Sequence, residues 1–201
     1  MKKIALFLGF LALVTISAEA NVLLTVNITD PTNVVFSSTL GVASASDSSH
    51  TIGDGIVLLN FFSVGGSITP TVVSNTLTPA GSSTPFDSLS SDGISTAPGD
   101  FSNFTGFNFY NINNGPETMT FLTGVVAFTG SATYDLSFED LPTVGTIGDI
   151  TAGYSGSAIP AVVIGQYQII SAIPEPATYS SLAGLGVLGS AYLARRRKSS
   201  R

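Results

Sequence analysis

The chain has no cysteine and no tryptophan, one histidine, and charged side chains at only 10% of its 201 positions. Each shortage removes a class of function. Without cysteine there is no thiolate nucleophile, no disulfide framework and no cysteine-ligated metal site. One histidine, His50, is the sole imidazole available for general-base chemistry. Basic residues are missing from almost the whole length. Lys2, Lys3, Arg195, Arg196, Arg197, Lys198 and Arg201 are all there are, and none falls between Ile4 and Ala194. The phosphate-neutralising surface that nucleic-acid binding requires is therefore lacking, and no nucleic-acid partner is expected.

Eleven acids lie between residues 21 and 173: Asp30, Asp47, Asp54, Asp87, Asp92, Asp100, Glu117, Asp135, Glu139, Asp140 and Asp149. The central body thus carries close to −11, which the whole-chain figure of −6 conceals because the basic ends offset it. Carboxylates without lysine or arginine partners must sit in water, accept backbone N–H groups or bind cations. A solvated acidic surface outside the cell is the expectation. An apolar content of 44% excludes a disordered acidic tail.

Both ends read as membrane signals. Met1-Lys2-Lys3 is a positive start, residues 4–16 are uniformly apolar or small, and Ala18 and Ala20 occupy the −3 and −1 positions of a cleavage site. A signal peptide over residues 1–20 is expected, cut before Asn21. Its 13-residue apolar stretch spans only about 20 Å, short of a ~30 Å hydrocarbon core. At the other end, Pro174-Glu175-Pro176 is a stiff joint, followed by 18 uncharged residues, 177–194, and then Arg195, Arg196, Arg197 and Lys198. That run spans roughly 27 Å as a helix, enough for a transmembrane segment. Tyr179 and Tyr192 fall near its ends, and the basic cluster serves as a stop-transfer anchor on the cytoplasmic side. The expected intermediate has its body outside and its C-terminus inside.

Two patterns in this segment are decoys or ambiguous. Gly184, Gly186 and Gly189 match a dinucleotide-binding spacing, but no βαβ unit surrounds them and the chain ends 12 residues later. Gly186, Ser190 and Ala194 recur every fourth residue, which fits helix–helix approach in a bilayer and equally a biased composition.

The ordered combination of Pro174-Glu175-Pro176, an apolar Leu/Gly-rich helix and a terminal arginine cluster resembles the PEP-CTERM sorting signal. The resemblance covers about the last 28 residues. It implies recognition by exosortase, a membrane-embedded transpeptidase-like protease, removal of the tail near the motif, and a bacterium that makes exopolysaccharide. Bodies that carry this tail differ widely, so it implies nothing about the fold of residues 21–173.

That body is long enough for one domain with a core. Its period is two. In residues 21–29, Val22, Leu24, Val26 and Ile28 alternate with polar or outward positions; in residues 132–139, Ala132, Tyr134, Leu136 and Phe138 do the same. Residues 56–62 form a continuous apolar run suited to a central strand, and residues 33–38, 104–112, 118–129 and 161–170 are further strands. The expected fold is all-β, a single jelly-roll-like β-sandwich of roughly 8–10 strands. Residues 79–100, rich in Ser, Gly and Pro, read as a flexible surface loop, with a hidden short strand around Phe86–Leu89 as the alternative.

No catalytic constellation stands out, and the chain is not expected to be an enzyme. His50 sits in a polar stretch and reads as a solvated loop histidine. Glu139 and Asp140 are neighbours that a strand would point to opposite faces, and nothing in the sequence joins Glu117 to Glu139. Asp47, Asp54, Asp92, Asp100 and Asp149 lie in Gly/Ser-rich stretches where calcium is conceivable, yet turn formation explains them as well. No other cofactor is implied. The function expected is an exported envelope or matrix protein, structural and exopolysaccharide-associated. The competing reading is a carbohydrate-binding module, with Tyr110, Tyr154 and Tyr167 as candidate sugar platforms.

Overall fold

A computed structural model describes residues 21–68, 70–93 and 102–171. The expected signal peptide with Ala18 and Ala20, the tail with Pro174, Glu175, Pro176, Arg195, Arg196, Arg197 and Lys198, and Asp100 lie outside the described residues. Among the described residues no helix is long and apolar enough to cross a membrane.

The described chain is all-β, as its period predicts. Eleven strands follow one another: β1 (Val22–Asn27), β2 (Val34–Ser38), β3 (Ile56–Leu58), β4 (Thr71–Asn75), β5 (Thr78–Pro79), β6 (Ser88–Asp92), β7 (Gly106–Tyr110), β8 (Phe128–Thr129), β9 (Ser131–Asp135), β10 (Ile147–Ala152) and β11 (Val162–Ile170). A single 3-10 turn, Pro31–Asn33, is capped by the Asp30 carboxylate. Nine strands share one sheet in the order β4-β9-β2-β1-β11-β10-β3-β7-β6, and β5 with β8 forms a separate ribbon. Every pairing is antiparallel except β1 with β11.

Side chains from opposite ends of that sheet meet, so the sheet curls over its own core. Phe36 of β2 stacks on Phe107 of β7 at 5.3 Å between ring centroids, and Tyr134 of β9 meets Phe109 of β7 at 5.7 Å. The two free edges are fastened by asparagine. Asn75 on β4 donates to the carbonyl of Phe86 and to Tyr134 Oη, and Phe86 N–H donates to Leu77 O at 3.1 Å. One continuous ladder therefore supplies both layers around the core.

Local chemistry explains where the strands depart from expectation. β9 buries Ala132 and Tyr134 on one face, but it ends at Asp135, where the chain turns with Glu139 N–H donating to Leu136 O. Phe138, expected to face inward with them, is consequently 96% exposed. The segment 79–100 is not wholly a loop, because it contains β6. That strand is mostly serine, and it is held by its backbone ladder to β7 with Leu89 its one apolar side chain against the core. Of residues 118–129 only the end is a regular strand. The remainder touches residues 42–51 through isolated bridges such as Asp47↔Phe121 and Thr51↔Thr118.

Candidate functional site

His50 is buried, not solvated. Its Nδ1 lies 3.0 Å from Asp47 Oδ2. A carboxylate only accepts, so Nδ1 carries the proton and donates. Ser49 Oγ donates to the other Asp47 oxygen. The remaining ring nitrogen, Nε2, is buried without a hydrogen-bond partner and faces the Cα of Gly153. A Ser-His-acid triad needs the hydroxyl on Nε2, with room for substrate beside it. Here Ser49 lies on the Nδ1 side and Gly153 closes Nε2, so the pair acts as an internal clasp between residues 47–50 and the strand end after β10.

The other chemical candidates are dispersed. Asp54 accepts from the N–H and hydroxyl of Thr51, both at 2.9 Å. Asp92 accepts from Ser155 N–H and Oγ. Asp149 accepts from Gln166 Nε2 at 3.1 Å. Among the described residues no group of three or more His, Cys, Asp or Glu side chains is placed to hold a metal ion. Glu117 is bound to the Ser83 N–H and the Thr84 hydroxyl beside the start of β3, whereas Glu139 follows the end of β9 at the other end of the sheet. Of the three candidate sugar platforms, Tyr167 is fully buried and donates to Leu59 O, Tyr110 is half-buried, and Tyr154 is part exposed.

Hydrogen bonds also order the titration of this acidic body. Like-charge crowding without lysine or arginine would raise carboxyl pKa values, but five groups move the other way. Asn33 and Thr32 hold Asp30 low; the Ser83 N–H and Thr84 hydroxyl hold Glu117 low; Ser137 holds Asp135 low. Burial pushes Asp47 and Asp87 up, but donors outweigh it: Ser49 and His50 for Asp47, Ser88, Ile112 N–H and Asn113 for Asp87. Each group holds its proton less tightly folded than unfolded. Stability is thus complete above the unfolded carboxyl range, roughly pH 4, and is lost as pH falls through the folded values. We expect the urea midpoint to be flat from pH 7 to 5 and to drop between pH 4 and 2.5. A midpoint that rises on acidification would mean charge repulsion dominates.

The described fold meets the C-terminal signal at the end of β11. This strand, nine residues long, is the longest among the described residues and is paired on both sides. β1 runs parallel to it as far as Asn27↔Ile170, and Ile28 N–H donates to Ile170 O at 3.3 Å. On the other side Ile169 N–H donates to Thr146 O at 2.8 Å and Gly145 N–H donates to Ile169 O at 2.9 Å. The chain is clamped to its last strand residue, and Pro174 follows four positions later. Four residues reach no more than about 14 Å.

Residues 172–198 match the family model of the PEP-CTERM protein-sorting motif. No curated protein and no solved structure matches the chain. The matched stretch contains Pro174, Glu175 and Pro176, the uncharged run and the basic cluster, the same residues that carry the resemblance in the sequence. The chain is thereby an exported protein processed at the membrane. Its tail is a substrate signal for exosortase, a membrane protein.

Proposed function

We propose that residues 21–171 form a structural, non-catalytic domain of the cell envelope or extracellular matrix, associated with exopolysaccharide and delivered through the sorting tail. The observation that carries this reading is the sorting motif directly behind a fully paired β11. A protease meets a proline-flanked segment just beyond a rigid domain, and release leaves the domain intact. In this reading residues 1–20 are removed on export, residues 177–194 hold the intermediate in the inner membrane, and the curled sheet serves as a sandwich, jelly-roll-like in its layering. The acidic surface keeps the released domain soluble and off anionic lipid. Replacing Pro174, Glu175 and Pro176 together by alanine tests it. The expected result is full-length precursor accumulating in the inner membrane, with at least tenfold less processed protein outside. Wild-type yield of processed protein would overturn the reading.

A second reading rests on a cleft of about 390 Å³ lined by Asn60, Asp92, Asn103, Thr105 and Ser155. Carboxylate, amide and hydroxyl groups around one cleft suit a polyhydroxylated ligand, with calcium as a further ligand of the same oxygen-rich set. Glycan-array binding lost in Asp92→Ala supports it, and no binding with or without calcium removes it.

A further inference from the structure

We propose that the loops surrounding the exit of the tail form a docking face for the protease that reads the sorting motif, with Phe138 at its centre. This rests on the sorting reading above. Distance keeps the motif close to this end of the fold. Pro174 lies within about 14 Å of Ile170, whatever path the intervening residues take. A protein that grips Pro174-Glu175-Pro176 therefore works beside the surface around Ile170.

Apolar side chains stand exposed on that surface, and Phe138 is the most exposed of the large hydrophobics described. The turn after β9 spans this end of the curled sheet: Leu136 N–H donates to Pro31 O, and Ser63 N–H donates to Asp140 O at 3.4 Å. Phe138 stands on this turn with 96% of its surface exposed. Val144 and Ile147, beside the last residues of β11, are 56% and 52% exposed. A phenylalanine ring left in water has no packing role in the isolated domain. Acids stand on and beside this turn: Asp135 and Asp140 flank Phe138 along the chain, and Asp30 precedes Pro31, which accepts from Leu136, with no lysine or arginine anywhere in residues 4–194. Anionic lipid headgroups would repel these acids, so a bilayer is the weaker fit. A protein surface with an apolar spot ringed by basic side chains is complementary in both respects.

The test is pulse-chase processing of the full chain in cells with tagged exosortase. Phe138→Ser and Asp140→Lys are each expected to slow tail removal about tenfold, the effect of losing an interface anchor. Both side chains are exposed, so neither change should alter the far-ultraviolet circular dichroism of the product. Leu40→Ser, 61% exposed near the start of β1 at the opposite end, should leave the rate unchanged. A photo-crosslinking residue at position 138 should give an adduct carrying the exosortase tag. Wild-type rates in both variants, equal slowing by Leu40→Ser, or adducts to lipid alone would overturn the docking face. If the unmodified chain itself keeps its tail, the sorting reading fails instead, so the two failures are distinguishable.

Discussion

Phe107→Ala is expected to lower the unfolding free energy by about 3–5 kcal/mol, the usual cost of emptying a buried phenylalanine site. Phe107 is the ring on which the two halves of the curled sheet converge. Its centroid lies 5.3 Å from Phe36, 5.2 Å from Phe61, 5.5 Å from Phe62 and 4.8 Å from Phe109, and it also meets Tyr134. Those partners come from β2, β7, β9 and the chain after β3, so no single local shift can refill the void. Domains have only about 5–15 kcal/mol to lose, and the variant should unfold at far lower denaturant. Chemical denaturation followed by tyrosine fluorescence measures this. A loss below about 1 kcal/mol would mean that the halves do not meet there. Phe138→Ala, on the exposed turn, should stay within about 0.5 kcal/mol of the parent.

Gly153→Ala should cost about 2–5 kcal/mol for two separable reasons. Gly153 has φ +82°, which costs a residue with a Cβ about 1–2 kcal/mol. The added methyl would also land on Nε2 and Cδ2 of His50, inside a closed core, and overpacking adds roughly 1–3 kcal/mol. Gly145 provides the comparison. Its φ is +92°, yet nothing lies near the position of a Cβ, so Gly145→Ala should cost the backbone contribution alone. Equal losses in the two variants would show that His50 does not pack against Gly153.

Strands with an apolar face were legible in the sequence. Residues 21–29, 33–38 and 161–170 became β1, β2 and β11 with boundaries moved by a residue or two, because alternation there reflects real burial of Leu24, Val26, Val34, Phe36, Ile164, Tyr167 and Ile169. β6 was legible only as the alternative to a loop. Ser88, Ser90 and Ser91 have no side-chain preference for a strand, and the partner that organises them, β7, is remote in sequence. β10 was hidden for a similar reason, since Gly148 and Asp149 are turn formers that pairing with β3 and β11 overrides. His50 was misread because its polar neighbours suggested water. What buries it is Gly153, about a hundred residues away, and no local pattern reports that contact. Phe138 continued an alternation correctly counted but physically ended by the turn at Leu136. The sorting motif, by contrast, was legible, because its proline spacing, apolar run and charge are properties of contiguous residues and need no partner from the fold.

The mass of the chain recovered from outside the inner membrane tests the central claim most directly. The account predicts a species that begins at Asn21 and ends close to Pro174, well below the 20.6 kDa of the full chain. An intact 20.6 kDa chain, recovered free of membrane from the cytosol, would contradict it.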